Sequence, residues 1–586
     1  MENEELFAGE SALDVQQATE SLVQETRCTA DGTVLNVHHE PLLASNEGDD
    51  EWPEEVPQLR DTDPDTRPRW RRPSIYWLLP FTLVFTIGFG GLAVPKVTLM
   101  RDLVCRNYLY ERSLKDPHFT YLPVIISGDN PQCRIPDVQS KVAQLQLYIN
   151  LISGLVAALV SPRLGRLSDA YGRTKLIALC GTCSAISESI TCFLGTWPEA
   201  LSVNLFLLGA LVDGLGGSIT GAQVVLHSYA TDCTPPNRRS VAFGLFHGAL
   251  FLGVAAGPSG AAYIISKTGS SLPVFYTGFL LHAFFSLCVI LVVPESLSKE
   301  LQLVARAKHR FKATDDEPKW YSWKALNPLN LVTPLKILWP AVGRPSVLFP
   351  NRKGASPALR RNILMLAMMD VALFGVAMGT VQVIIIYAEY MFDWGNVEMS
   401  LFVAIVNGLR TINLFVFLPL ISWLFRTPTP DDGMIRGSDM LDVIIIRISV
   451  LFDIIGYICF TLSKTGTAWL ASGIITCLGG MGPPTIQSAL TKHVPHDRVG
   501  QLLGATGLLH ALARVVAPTV FNLIYSLTVR SHPQTVFMLL ASVFGAASFL
   551  SFFIRPHVTL DDEPAFDIAV EANEDGEDEE DQLLLR

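Results

Sequence analysis

The sequence predicts an all-α membrane protein of twelve transmembrane helices, arranged as two pseudo-symmetric six-helix bundles. Three observations predict it. Apolar runs of about 20 residues, the length a helix needs to cross a bilayer core, recur along most of the 586 residues. They fall into two groups of six, separated by a polar stretch rich in Lys and Arg. The two groups also share landmark residues at matching spacings, as a duplicated unit would.

Taken in order, the predicted spans are 75–96, 138–161, 176–196, 201–227, 241–266 and 273–293, then 362–391, 398–424, 440–463, 466–490, 499–528 and 533–554. Each is read as a helix because only a helix or a closed barrel satisfies its backbone polar groups in lipid. The corresponding organisation is an acidic, disordered cytoplasmic tail (1–73), a first six-helix bundle (74–293), a cytoplasmic linker (294–361), a second bundle (362–556) and a second acidic tail (557–586). The net charge of −11 sits mainly in these tails, which hold "NEGDDEWPEE" and "EANEDGEDEEDQLLLR", and implies no charged partner. No cleavable signal peptide is expected, because the first apolar span starts only near Ile75.

Orientation follows from basic residues beside the span ends. Arg67, Arg69, Arg71 and Arg72 precede span 1; Arg163, Arg166, Arg173 and Lys175 join spans 2 and 3; Arg238 and Arg239 join 4 and 5; Arg360 and Arg361 precede span 7. All fall on the cytoplasmic side if both termini do. The long connection 97–137, predicted outside, also has several basic residues and weakens this slightly. Cys105 and Cys133 share that connection, and an oxidising compartment would permit a disulfide between them. Cys180-x-x-Cys183 lies inside a span and reads as a pair of small buried residues.

The duplication is visible in two places. Span 4 reads "DGLGGSITGAQVVLHS" and span 10 "TCLGGMGPPTIQSALT", each with Leu-Gly-Gly followed by Gln223 or Gln487. Further on, Pro236, Arg239, Gly244 and Pro258 have counterparts in Pro495, Arg498, Gly504 and Pro518, with equal spacing from glycine to the last proline. Repeated halves about a midplane site are the plan of many secondary transporters.

Between spans 2 and 3 stands Gly165-x-Leu167-Ser168-Asp169-x-x-Gly172-Arg173-x-Lys175. In that place, in a chain of six plus six spans, it resembles the signature loop of the major facilitator superfamily, over roughly residues 70–556. The resemblance implies the major facilitator fold, a cavity lined mainly by spans 1, 4, 7 and 10, and alternating access. It also implies that Asp169 sits against the positive N-terminus of span 11 and holds the cytoplasmic side shut, with Arg173 adding a charge-assisted bond. A basic loop that merely sets topology is the plainer alternative. "YATDCTPPNRRSVAFG" (229–244) and "LVDGLGG" (211–217) are similar to proton-coupled folate and haem carriers and to tetracycline-antiporter-like members. Gly253, Gly257 and Pro258 in span 5 are similar to the motif of drug/proton exchangers, with Ala261 where a further glycine is expected. Ala210 replaces the arginine that many drug antiporters carry before Gly214, and "FRTPTPDDGMIRGSD" (425–439) is a degenerate second copy of the signature.

Charges within spans are costly and point to function. Asp213 in span 4 is the expected proton-coupling group, with Thr220 and His227 on the same stripe; the alternative is a carboxylate held by a neighbouring helix. Arg410 and Arg514, with Asp370 and the neutral Gln223, Gln382 and Gln487, are the expected substrate-cavity residues. Guanidinium groups suit an anionic or strongly polar solute, whereas a salt bridge such as Arg410 with Asp370 would make them structural. Glu188 and Asp453 read equally as structural pairs, Arg447 as a snorkelling residue. Glycines 88, 90 and 91 read as helix-packing residues.

These features predict a secondary active transporter of a small organic solute, coupled to protons, acting as a monomer. The rivals are a drug/proton efflux antiporter and a transporter-like nutrient receptor without net flux. No phosphate-binding loop, metal-ligand cluster or catalytic triad is visible, so no enzymatic activity, cofactor or nucleic-acid partner is expected. Glu579 followed by Leu583 and Leu584 resembles an acidic dileucine sorting signal, which points to a vacuolar or lysosomal membrane; the plasma membrane is the alternative.

Overall fold

The computed structural model describes residues 72–558, apart from positions 117, 127–129, 134, 300–301, 304, 307–332, 343–354, 395, 427–436, 496–497 and 530. Most of both acidic tails, the dileucine stretch and most of the linker lie outside the described residues.

The elements are helical. The first half holds α1 (Ile75–Lys115), α2 (Pro136–Tyr171), α3 (Arg173–Thr196), α4 (Leu205–Leu215), α5 (Ser218–Cys233), α6 (Arg239–Thr268) and α7 (Leu272–Leu291). The second holds α8 (Pro357–Phe392), α9 (Asn396–Ile412), a π-turn (Asn413–Phe417), α10 (Leu418–Phe425), α11 (Met440–Leu462), α12 (Gly466–Gly479), α13 (Gly482–Lys492), α14 (Val499–Thr528) and α15 (Thr535–Ser551). Among the described residues, ten helical segments are long and apolar enough to cross a membrane. The α12–α13 pair, interrupted near Gly480, and the shorter α15 occupy the two remaining predicted spans.

Packing repeats between the halves. In the first, α1 lies along α6, α3 along α7, and α2 against α4; in the second, α8 lies along α14, α11 along α15, and α9 against α12. The halves meet where α2 runs beside α14 and α6 beside α9. Lipid exerts no hydrophobic force between helices, so close contact relies on small residues. The α1–α6 seam is built this way. A Cβ on Gly90 would lie 2.5 Å from the Gly253 carbonyl, and one on Gly257 would collide with the backbone of Gly91. Gly253 and Gly257 of the exchanger-like motif are thereby accounted for by helix contact, and Thr86 Oγ1 donates to the Ala249 carbonyl across the same seam at 2.9 Å.

The structure departs from the sequence expectation in four places. Span 1 continues past residue 96 to Lys115, because its polar extension finds partners: Lys96 meets Glu188 at 3.2 Å, and Leu99, Met100 and Leu103 are buried. Cys105 therefore sits on a helix rather than in a loop, and the structure joins it to Cys133 as a disulfide. The stretch 165–171, expected in a loop, is the last part of α2; the connection to α3 is Gly172 alone, whose φ of 101° only glycine adopts easily. Finally, span 4 is broken at Gly216–Gly217 and span 10 at Gly480–Met481.

Candidate functional site: the motif end and the two broken helices

The signature residues form a network at one end of the molecule. Asp169, on the last turn of α2, lies against the first turn of α14: a Cβ on Gly500 would stand 2.6 Å from its carboxylate. The first N–H groups of a helix carry the positive end of its dipole, which attracts an anion. Gly165 meets the Gly500 carbonyl so closely that any Cβ would collide. Arg173, buried at the start of α3, reaches Asp169 at 2.5 Å, Asp232 at the end of α5 at 2.9 Å, and Ser168 Oγ at 2.6 Å. Glu295, just past α7, caps α3 by accepting from the Arg173 and Thr174 amides at 2.8 and 3.1 Å. Arg239 adds a crossing between halves, donating to the Thr491 carbonyl at 3.2 Å.

Residues 427–436 of the degenerate second copy lie outside the described residues, but its flanks build a matching ion cluster. Asp442 in the first turn of α11 meets Lys492 at the end of α13 and Arg426 at the end of α10, each at 2.5 Å. Asp439 lies 3.3 Å from Lys492. The polarity is reversed relative to the first half. There a cation starts span 3 and an anion ends span 4; here an anion starts span 9 and a cation ends span 10. Attraction is unchanged when both signs flip, so the packing role survives while the motif does not.

Each broken helix has an arginine beside the break. Gly217 takes φ 78°, and a Cβ there would collide with Leu164 and Gly221; Ser218, which opens α5, also has positive φ, 51°. Arg514 of α14 donates to Ser218 Oγ at 2.6 Å and lies close enough to Asp213 for their charges to interact. In the second half a Cβ on Gly480 would lie 3.6 Å from Arg410 Cγ, and one on Gly479 would collide with the Asp453 carboxylate. Asn413 donates to the Cys477 carbonyl at 2.8 Å, meeting part of the need that a helix end leaves in lipid. Four charges scattered through the sequence thus gather as two arginine–aspartate sites.

Several sequence expectations are revised. The stripe of Asp213, Thr220 and His227 does not exist as such, because the left-handed Gly217 lies between them. Asp213 accepts from Ser153 Oγ at 3.0 Å and Ser184 Oγ at 3.4 Å, on α2 and α3. Asp370 pairs with His510 at 2.8 Å rather than with Arg410, which lies over the Phe251 ring at 5.4 Å. Gln223 is bonded to His247, Nε2 to Nε2 at 3.0 Å. Gln487 is buried with its Oε1 unpaired among the described residues, while the Gln382 side chain lies outside them. Arg447 donates to the Ser551 carbonyl at 3.2 Å. Among the described residues no group of three His, Cys, Asp or Glu is placed to hold a metal.

Sequence reasoning missed Asp232, Glu295, Asp442, Lys492 and His247. The available signal for the first four was position: each is a charge at the rim of an apolar run. Their partners are fixed only by folding.

The sequence model of the Major Facilitator Superfamily matches residues 125–518. An MFS-type transporter of Aspergillus versicolor, avaJ, is 28% identical over 505 residues, covering 85% of this chain and 92% of that one. A class H tetracycline resistance protein of Pasteurella multocida is 22% identical over 489 residues, covering 83% and 97%. Among solved structures, the human organic anion transporter MFSD10 superposes with TM-score 0.58 at 16% identity, covering 83% of this chain and all of that one. The proton:xylose symporter XylE gives TM-score 0.51 at 15% identity, covering 82% and 96%. The family model spans about two thirds of the chain, and the helices and repeated halves agree with these matches: the chain is a multi-pass membrane transporter, not an enzyme, and belongs to the major facilitator superfamily.

Proposed function

We propose that this transporter moves a small anionic or strongly polar organic solute by alternating access, coupled to protons, with both termini cytoplasmic. The observation that carries this reading is the Arg514 contact. A guanidinium from the second half bonds Ser218 at the broken helix of the first half, beside Asp213. A carboxylate or phosphate on a solute would compete for that guanidinium, because charge-assisted bonds to Arg exceed a bond to a neutral hydroxyl. Solute binding would then alter a contact between the halves, which differential binding to two states requires. Arg410, Gln487 and Gln223 complete the proposed solute set, and Asp213 is the group whose charge answers Arg514 when solute arrives or leaves. The closed motif end supports a state open to the opposite side, with Gly165, Asp169, Gly172 and Arg173 as the gate.

The test uses the full-length purified protein. Ionic solutes are screened by thermal stabilisation, since a ligand that binds the native state raises its melting temperature. Hits are then followed as flux in proteoliposomes under a pH gradient. Wild-type flux that Arg514→Gln abolishes and Arg514→Lys weakens supports the reading. Flux unchanged in Arg514→Gln removes Arg514 from the solute site, and pH-driven flux unchanged in Asp213→Asn removes Asp213 from coupling. Drug efflux is the second reading, favoured because relatives include a tetracycline resistance protein and an MFS efflux pump of Emericella nidulans. Outward flux of apolar drugs, with no response to anions, would select it. Binding without flux would select a receptor.

A further inference from the structure

Between the halves lies a second set of titratable groups that the solute site does not use. His227 on α5 and His247 on α6 belong to the first half; Asp370 on α8 and His510 on α14 belong to the second. All four are buried. The His247 Nδ1 approaches the Phe243 carbonyl at 3.0 Å, so Nδ1 carries the proton and Nε2 accepts from the Gln223 amide. His227 stacks between Phe243, at 4.2 Å, and His247, at 5.3 Å, and its Nε2 has no hydrogen-bond partner among the described residues.

The Asp370–His510 contact differs in kind. Oδ2 and Nε2 stand 2.8 Å apart, yet off the line of an N–H bond, and neither Oδ1, Oδ2 nor Nε2 has a hydrogen bond among the described residues. Phe374, one turn beyond Asp370, stacks on the imidazole at 4.2 Å with planes 9° apart and fixes the ring. A buried carboxylate without hydrogen bonds is costly unless a charge neutralises it or it takes a proton. The cheapest arrangement holds one proton across the pair.

We propose that Asp370 and His510 form a proton-binding site that carries one exchangeable proton through the transport cycle. In the loaded form an imidazolium at His510 faces the Asp370 carboxylate and the pair is neutral. On release the proton leaves Nε2 for water, and a neutral imidazole faces a carboxylate. The one proton is shared between the two groups, so loss of either group removes its site. His227 and His247 lie within electrostatic reach of His510, so a second imidazolium beside the first is opposed and the cluster holds a single proton.

The other elements against α8 and α14 place their charges elsewhere. Asp232 at the end of α5 is bound to Arg173. Arg163, Arg166 and Asp169 stand on the last turns of α2, Lys492 is paired with Asp442 at the end of α13, and Lys336 on the turn Thr333–Leu338 is exposed. Helix α15 contributes no titratable side chain. Arg514, one turn beyond His510, is engaged with Ser218.

The inference rests on the transport reading, but its test does not need a solute. The full-length protein in phosphatidylcholine vesicles is titrated with hydronium alone and followed by pH-difference infrared spectroscopy. A linked carboxylate–imidazole step of roughly one proton is expected in wild type. Asp370→Asn and His510→Gln should each remove it, and the double variant should remove no more than either single one. Glu188→Gln, remote and paired with Lys96, should leave it intact. Phe374→Leu retains both groups and frees the ring, so it should shift the step without removing it; this variant decides the matter if either polar variant unfolds. Independent steps that add in the double variant, or a wild-type step untouched by all three substitutions, would overturn the proposal. If the linked step is found but no ionic solute moves, the anionic-solute reading fails and the proton-binding pair stands. If solute moves while Asp370→Asn leaves pH-driven accumulation intact, the site is not the coupling site.

Discussion

Lys492 shows at the scale of one residue how burial sets the value of a charge. Its ammonium is almost fully buried at the end of α13, between Asp442 and Asp439. Breaking a buried pair costs more than the pair contributes, because a desolvated charge is left behind. Lys492→Met should therefore lower stability by about 3 kcal/mol, less any relief from Arg426 closing on Asp442. Asp442→Asn in the same background should recover part of the loss, read as thermal unfolding of the detergent-solubilised protein. His493, next in the chain and outside the spanning segments, gives a pH dependence. Burial pushes it down to about 4 from an ordinary 6.5, and the neutral ring bonds Asn362 Nδ2 at 3.1 Å and the Ala489 carbonyl at 2.7 Å. Unfolded chains take up a proton here below about pH 6.5, folded ones only near 4, so this contribution is complete above 6.5 and is lost as pH falls toward 4. The melting temperature should decline over that window, and His493→Gln should flatten the decline. Little of this was legible in advance. Lys492, Asp442 and Asn362 are far apart in sequence, and neither burial nor pairing can be read from charge alone.

At the scale of elements, the apolar runs located the ten long membrane helices of the described residues, because a lipid-crossing helix needs a continuous run of roughly 20 apolar residues whatever it packs against. Their ends were misread wherever polar residues belonged to the helix. Lys96 ends an apolar window but continues α1, since Glu188 receives it. The breaks in spans 4 and 10 were hidden because Leu-Gly-Gly is as apolar as its surroundings. The two breaks also differ in mechanism, which gives a prediction. Gly217 needs a left-handed backbone, whereas Gly480 sits at φ −58°, and its break precedes Pro483 and Pro484. A side chain at positive φ costs roughly 1–2 kcal/mol, and at Gly217 it also meets Leu164. Gly217→Ala should thus destabilise by about 2 kcal/mol or more, while Gly480→Ala, whose Cβ meets only the Cys477 carbonyl at 3.0 Å and Arg410 Cγ, should cost under about 1. Parallel thermal melts of the two variants check the order; a larger effect at Gly480 would contradict it.

For the whole molecule, the duplicated landmarks foretold two similar halves, and the resemblance of residues 165–175 foretold where Asp169 would point. What the sequence withheld was the closeness of the contact, which depends on Gly165 and Gly500 meeting across 335 positions (500 − 165). A carboxylate at a helix N-terminus contributes about 0.3–2 kcal/mol, so Asp169→Asn should shift the ratio of closed to open motif end by roughly two- to thirtyfold without unfolding the chain. Arg173 retains Asp232 and Ser168 in that variant, which keeps its buried guanidinium paired. Gly165→Val acts on the same equilibrium by a different force. Its side chain meets the Gly500 carbonyl only when the end is shut, so the closed state is penalised and the open one is not. Hydrogen–deuterium exchange of the α14 segment 499–511, in the full-length protein in nanodiscs, reads both effects. Faster exchange there in Gly165→Val than in Asp169→Asn, and in each faster than in wild type, is expected, with α11 unchanged. Equal exchange in all three would mean that other contacts, such as Arg239 with Thr491, hold the end shut. Arg239→Ala should then produce the opening that the Asp169 and Gly165 variants fail to produce.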